Sequence, residues 1–422
     1  HFFDGFRTSH EISKVEEIAF DDMRAMLPYE YIKKHRDRAM NPEHPVLKGT
    51  SQNPDVFFAS RETVNKYYDA APDIVQEEMD KFAKIVGRQY KLFDYFGHPE
   101  AERVVFMMGT GSETMHETVN YLNEQGEKVG LIKVRLYRPF SIKAMAEALP
   151  ATVKKIAVLD RTKEAGSVGE PLYTDIQTGV VEAMHKGWSK FDERPIIVGG
   201  RYGLGSAEFN PGMAKAVLDN LKEDDPRDHF TIGIKDDVTN TSLDFDPDFD
   251  IEGEDVFRGM FYGLGADGTV GANKNSIKII GENTDYYAQG YFVYDSKKAG
   301  AITISHVRFG PNEIQRPYLI TKANFIACHN FTFLEKINML EHIIEGGTFL
   351  LNSMYGPDEV WDKMPKEVQQ QIIDKKLDFY VIDGIDLAKE LGLGARINMI
   401  MFFNVSATTE ILPKDEAIKA IK

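Results

Sequence analysis

The residues best placed to do chemistry form the stretch Phe261-Tyr262-Gly263-Leu264-Gly265-Ala266-Asp267-Gly268-Thr269-Val270-Gly271-Ala272-Asn273-Lys274. An aromatic run precedes four glycines, a lysine follows, and Asn275 to Gly281 is amphipathic. The order predicts a strand, a tight glycine turn and a helix start. Unpaired N–H groups at a helix start attract anions, and glycine lets a phosphate come close. The spacing is not that of a P-loop, because no Gly-Lys-Ser/Thr follows the second glycine. Gly263, Gly265 and Gly268 complete G-x-G-x-x-G, but no acid clearly ends a second strand about 20 residues on, as a dinucleotide site needs. Ala266-Asp267-Gly268 has the look of the Asp-Gly metal corner of thiamine diphosphate sites, yet the later asparagines of that motif are missing. A phosphate-binding turn and a purely structural strand–helix turn both remain open.

The chain must supply the elements that hold this turn. Its 422 residues predict two to four domains, each with its own core. An apolar content of 42% and a charged content of 27% are ordinary for globular proteins. A net charge of −16 argues against nucleic acid as the main partner. The single cysteine, Cys328, makes neither an internal disulfide nor an iron–sulfur cluster, and implies a reducing compartment. Its expected role is a buried thiol at a strand end. No run approaches the roughly 20 apolar residues that span a bilayer, and no signal peptide is visible. The chain starts on His1 in sequence that already reads as folded, which suggests a piece of a longer polypeptide.

Three segments follow. Residues 1 to 96 are helical in pattern and poor in strands. A helix is expected over Asp21 to Tyr31 and another across Ser60 to Phe93. Arg7, Thr8 and Ser9 are read as a cap for a helix starting near Glu11. His10, His35 and His44 match no zinc spacing. Residues 97 to 253 alternate strand and helix, which predicts a parallel α/β sheet. Its turns at 109–112 and 199–205 fall where such folds bind ligands. The acidic run from 235 to 255 fails both calcium-loop registers, because Phe249 and Gly259 stand where Gly and Glu are needed. It reads as a solvated linker. Residues 254 to 422 form a further α/β unit. Strands are expected at 290–294, 301–309, 324–328, 348–351 and 377–382. Helices are expected at 334–344, 366–376, 385–391 and 396–403, with a last one from Pro413. Lys297, Lys298 and Arg308 could supply cations to a polyphosphate at the glycine turn.

The chain resembles the pyruvate:ferredoxin (flavodoxin) oxidoreductases along its whole length. The runs that carry this are FDGFRTSHE at 3–11, NPEHPVLKGT at 41–50, KVRLYRPF at 133–140 and VLDRTKEAGSVGEPLY at 158–173. GGRYGLGSAEF at 199–209, YGLGADGTVGANK at 262–274, YDSKKAG at 294–300 and ARINMIM at 395–401 complete the set. The resemblance implies a multi-domain α/β fold. Residues 1–96 would be the tail of a thiamine pyrimidine-side domain, 97–253 a transketolase C-terminal-like domain, and 254–422 most of a coenzyme A-binding domain. It implies a cytoplasmic, homodimeric enzyme of anaerobic metabolism. That enzyme would oxidatively decarboxylate pyruvate with coenzyme A and pass electrons to ferredoxin or flavodoxin. Carried over by motif, coenzyme A contacts fall on Gly265, Ala266, Asp267, Gly268, Thr269, Lys297 and Asn398. Thiamine diphosphate, magnesium and three [4Fe–4S] clusters would be ligated by residues outside this chain, and no catalytic residue falls within it. A fused pyruvate:NADP oxidoreductase and a stand-alone module for phosphorylated ligands are the rival readings.

Overall fold

The structure, a computed structural model, describes residues 1–47, 49–265, 267–294, 301–390 and 392. The expected helices at 396–403 and from Pro413 lie outside the described residues, as does Lys297.

The chain opens on a short helix α1 (Gly5–Ser9) and strand β1 (Glu11–Ser13). Thr8 and Ser9 therefore end a helix and do not cap one at Glu11, where the backbone is already extended. Helices α2 (Phe20–Met26) and α3 (Tyr29–Asp37) replace the one helix expected over 21–31. Pro28 lies between them and biases Leu27 away from the helical region. Next come α4 (Pro54–Glu62) and the long α5 (Asn65–Val86), which stops at Gly87 in a left-handed cap with φ +80°.

The first sheet contains β2 (Phe93–Gly97), β3 (Arg103–Met107), β4 (Val129–Val134), β5 (Lys155–Asp160), β6 (Ile196–Arg201) and β7 (Phe230–Thr231) in the order β2-β4-β3-β5-β6-β7. The pairs from β4 to β7 are parallel, whereas β2 is antiparallel to β4. Helices α6 (Gly111–Glu124), α7 (Ile142–Ala148), α8 (Pro171–His185) and α9 (Pro211–Asn220) cover both faces. The strands are accordingly apolar on both sides: Val104, Val105, Phe106 and Met107 are all fully buried. One core packs Met115, Val119, Val217 and Leu218 beneath β3, and the other packs Leu172, Ile176 and Val180 above it.

The second sheet holds β8 (Phe257–Leu264), β9 (Tyr287–Tyr294), β10 (Ile302–Gly310), β11 (Ala323–Cys328), β12 (Ile343–Asn352) and β13 (Asp378–Ile382), with the distant β1 on its edge. Its order is β1-β9-β10-β8-β11-β12-β13. One half, from β1 to β8, is antiparallel and the other, from β8 to β13, is parallel. Helix α10 (Thr269–Asn283) packs on one face, and α11 (Pro357–Lys363) and α12 (Lys366–Asp374) on the other, while α13 (Gly384–Glu390) follows β13. The helix expected over 334–344 is instead two short 3-10 turns at Phe331–Glu335 and Met339–His342, after which β12 begins. Phe333, Leu334, Met339 and Leu340 satisfy their apolar character by burial against β11, so the pattern reported burial and not helix. No helix among the described residues is long and apolar enough to cross a membrane.

The acidic run from 235 to 255 is not a solvated linker throughout. Asp250 pairs with Arg258 at 2.8 Å. Glu252 is only 4% exposed and accepts from Arg308 Nε at 3.0 Å and Nη2 at 2.8 Å. Burial alone would raise the Glu252 pKa, but Arg308, Arg316 and Arg258 overcome it and hold the carboxyl below its usual range. Arg308 also donates to the Tyr318 carbonyl at 2.9 Å. It is 1% exposed, so the expectation that it supplies a cation to a ligand phosphate is corrected: its charge is needed by Glu252. Arg316 extends the network to Glu117 of α6 at 3.1 Å, so one chain of ion pairs links the two sheets.

Candidate functional site at the carboxyl end of the second sheet

The turn between β8 and α10 is built by one side chain. Asp267 accepts a hydrogen bond from the Leu264 N–H through Oδ2 and one from the Thr269 N–H through Oδ1, each at 2.7 Å. Its own N–H returns to the Leu264 carbonyl at 3.0 Å. Gly265 donates its N–H to the Ala301 carbonyl at 2.7 Å, tying the turn to the start of β10. Gly268 takes φ +93° and serves as the N-cap of α10, a conformation that glycine tolerates without a Cβ penalty. A Cβ on Gly263 would run into the side chain of Thr269, so this glycine is required for close packing.

A buried histidine sits under the turn. His329 follows directly after β11, whose Cys328 pairs in register with Tyr262 of β8. Its Nδ1 shares a 2.6 Å hydrogen bond with the Thr269 hydroxyl. Its N–H donates to the Tyr262 carbonyl at 2.9 Å, and its own carbonyl accepts from Asn352 Nδ2 at 2.9 Å. Burial pushes its pKa down to about 4, against a smaller opposing pull from Asp267, so the imidazole is neutral at pH 7. Its Nε2 is buried and has no hydrogen-bond partner among the described residues. Cys328, one residue earlier, is buried, and desolvation raises its thiol to about 12. It is the packing thiol that the sequence suggests, not a nucleophile.

The helix face above the turn is open. Val270 and Gly271 lie in the first turn of α10, where N–H groups have no acceptor within the helix. Gly271 is exposed, and a Cβ there would meet nothing within 4 Å. Lys274, one turn on, is also exposed, and its ammonium lies 5.4 Å from the Phe292 ring centroid. The Asp267 carboxylate is already engaged by two backbone N–H groups, and the Thr269 hydroxyl by His329. What this turn offers an anion is therefore its backbone, the positive end of α10 and Lys274.

Of the residues expected at the site, Gly265, Asp267, Gly268 and Thr269 form one turn. Ala266, Lys297 and Asn398 lie outside the described residues. His329 and Asn352 are the residues that sequence reasoning missed. The only hint was that His329 adjoins Cys328, which drew attention for its thiol alone.

Three family models match consecutive parts of the chain. The thiamine diphosphate-binding domain of pyruvate flavodoxin/ferredoxin oxidoreductase matches residues 1–80. Core domain II of pyruvate:ferredoxin oxidoreductase matches residues 101–194, and the pyruvate ferredoxin/flavodoxin oxidoreductase model matches residues 258–422. The chain belongs to the pyruvate:ferredoxin/flavodoxin oxidoreductase family. It is 58% identical, over all of its length and 35% of the relative's, to a pyruvate-flavodoxin oxidoreductase of Trichormus variabilis. The pyruvate:ferredoxin oxidoreductase of Moorella thermoacetica is 55% identical over the whole chain and 35% of its own length. The pyruvate dehydrogenase [NADP(+)] of Cryptosporidium parvum is 47% identical over the whole chain, which covers 22% of it. The chain thus spans about a third of the length of these two pyruvate oxidoreductases. The model at 258–422 contains the whole Gly263–Thr269 turn.

Proposed function

We propose that this chain is part of an enzyme that oxidatively decarboxylates pyruvate with coenzyme A, giving acetyl-CoA, CO2 and reduced ferredoxin or flavodoxin. Its own contribution is scaffold and coenzyme A recognition. The observation that carries the site is the open N-terminus of α10 behind the left-handed Gly268, with an exposed Gly271 and Lys274 beside it. Within the Gly265–Thr269 turn the N–H groups of Gly265, Asp267 and Thr269 are already used inside the protein and would shape the turn, while Gly268 and the first turn of α10 would present backbone N–H groups to coenzyme A phosphates, with Lys297 as a cation and Asn398 as a neutral donor. The division into a thiamine-side segment (1–96), a second unit (97–253) and a coenzyme A unit (254–422) belongs to the same reading, with the first boundary running through β2.

Thiamine diphosphate would supply the carbanion chemistry at the 2-oxo carbon when bound. The three [4Fe–4S] clusters do not fit the residues present: one buried, neutral thiol stands against the four thiolates that each cluster needs. No group of three or more His, Cys, Asp or Glu among the described residues could hold a metal ion. The enzyme would work in the cytoplasm as a homodimer.

Isothermal titration of the protein with coenzyme A and, separately, with NADPH tests the site. Coenzyme A should bind, and Lys297→Ala should weaken it several-fold. Binding of the dinucleotide alone, or of neither, would overturn the assignment. A second reading has support in the 47% identity to a pyruvate dehydrogenase [NADP(+)]: the same unit could serve an assembly whose final acceptor is NADP. Reduction of NADP by the intact enzyme that contains this chain, without added ferredoxin or flavodoxin, would favour that reading.

A further inference from the structure

The first sheet has a second basin of quite different construction. The chain reverses direction across the sheet between β3 and β5, because β3 connects to β4 on one side and β5 lies on its other side. Crevices at such reversals, outside the carboxyl ends of the strands, are where α/β folds receive ligands. Here β3 ends before Gly109-Thr110 and β5 before Arg161-Thr162-Lys163, while β6 ends before the turn Gly203–Ser206. The β5 and β6 loops, with Asp4 and Gly5, line an open cavity of about 480 Å³ beside this reversal, within the size range of small-metabolite sites, and the β3 loop reaches it only through Thr110, which holds Asp4.

Its polar groups are arranged for an anion. The Arg161 guanidinium lies over the Tyr202 ring, 4.9 Å from the centroid, which fixes its plane. Its Nη1 is 3.6 Å from Asp4 Oδ1, too long for a good hydrogen bond, and its buried Nε has no acceptor among the described residues. Lys163 is exposed at the rim and has no ion-pair or hydrogen-bond partner among the described residues. Among the described residues Asp4 is the one acid lining the cavity, and it is already held by the Thr110 N–H at 2.6 Å and the Thr110 hydroxyl at 2.7 Å. Two cations therefore face one satisfied carboxylate, in a chain whose net charge is −16. A Cβ on Gly203 would crowd the Arg161 side chain, so the glycine lets the guanidinium lie against the turn.

We propose that the cavity between the β5 and β6 loops, with Arg161 as fork and Lys163 as point charge, binds a small phosphomonoester. A phosphomonoester carries close to two negative charges at pH 7 and matches the two cations, and the arginine fork suits its oxygens. The cavity exceeds what a bare phosphate fills, so the organic part of the ligand lies against the Gly203–Ser206 turn. This site is separate from the α10 turn and does not depend on the coenzyme A assignment.

Titration calorimetry of the full chain with glycerol phosphate and malonate tests this, without coenzyme A, whose own phosphomonoester would compete. Glycerol phosphate should bind more tightly than malonate. Lys163→Ala, a rim substitution that should leave the circular dichroism unchanged, should weaken it about tenfold, the scale of one charge-assisted contact. Arg161→Gln should weaken it at least as much. Asp4→Asn, which removes the competing carboxylate, should tighten it several-fold. No binding by the unsubstituted protein, affinity unchanged in both Lys163→Ala and Arg161→Gln, or tighter binding of malonate would each overturn the proposal.

Discussion

The two strand-to-helix turns at the carboxyl ends of the two sheets solve one problem in opposite ways. After β8, the acid that gathers the turn's N–H groups is Asp267, inside the turn itself. After β3, the acid is Asp4, which reaches Thr110 from 106 residues away. Both turns need a glycine in a left-handed conformation, Gly268 at φ +93° and Gly109 at φ +70°. The difference is what each leaves open. Asp267 lies within the turn and leaves the outer side of α10 clear. Asp4 occupies the N-terminus of α6 from above, so anion binding there is displaced to Arg161 and Lys163. A self-contained turn can be read from consecutive residues; a turn completed from elsewhere cannot.

The largest test asks whether the two turns share one cooperative unit. Glu252→Ala leaves Arg308 buried without its partner and releases Arg316, the link to Glu117. It should cost about 3–5 kcal/mol in urea unfolding. Calorimetry should then resolve two transitions, with the second sheet melting first. Retention of a single transition would show that the sheets are coupled by other contacts.

Next in size, Asp267→Ala orphans the Leu264 and Thr269 N–H groups and should cost about 2–4 kcal/mol. Asp4→Ala should cost less, about 1–2 kcal/mol, because Asp4 is partly solvated and water can replace it. Coenzyme A affinity should fall with Asp267→Ala and stay unchanged with Asp4→Ala. If both substitutions change that affinity, the two turns are not independent sites.

The pH dependence of the two regions should carry opposite signs. Burial pushes Asp160, at the end of β5, up to about 6, despite hydrogen bonds from the Leu172 and Tyr173 N–H groups. The folded state then holds a proton that the unfolded chain releases, so this contribution is present in acid and is lost as pH rises from about 4 to 6. Burial pushes His329 down to about 4, so its contribution is present above pH 6.5 and is lost as pH falls toward 4. Each is worth about 1.4 kcal/mol per pH unit within its window. Stability curves of Asp160→Asn and His329→Asn should flatten on opposite slopes, and a matching change in both would refute the assignment.

The smallest effect sharpens the site. Gly271→Ala places a methyl in open space within a helix and should stabilise the protein by up to about 1 kcal/mol. If coenzyme A phosphates lie against the first turn of α10, the same methyl should weaken coenzyme A binding several-fold. A stabilised protein with unchanged affinity would move the ligand off this face.

Much of the fold was legible. The runs at 104–109, 129–134 and 154–160, which read as strands, hold the buried strands Arg103–Met107, Val129–Val134 and Lys155–Asp160, since parallel strands covered on both faces must be apolar throughout. The glycine turn at 263–268 was legible because Asp267, Gly268 and their partners are near neighbours in sequence. The segment 334–344 misled, because apolar side chains report burial whichever backbone carries them. Arg308 and Glu252 misled in the same way, since a charge has no sequence mark that says whether it is buried and paired.

The sequence by itself determined the family, the alternation of strand and helix, and a turn with its own cap, because these rest on residues within a few positions of one another. Only the tertiary structure decided that β1 joins the far sheet, that Asp4 closes the first basin, and that His329 stands under Thr269. Those contacts join residues 60 to 280 positions apart, and pattern reading at short range has no access to them.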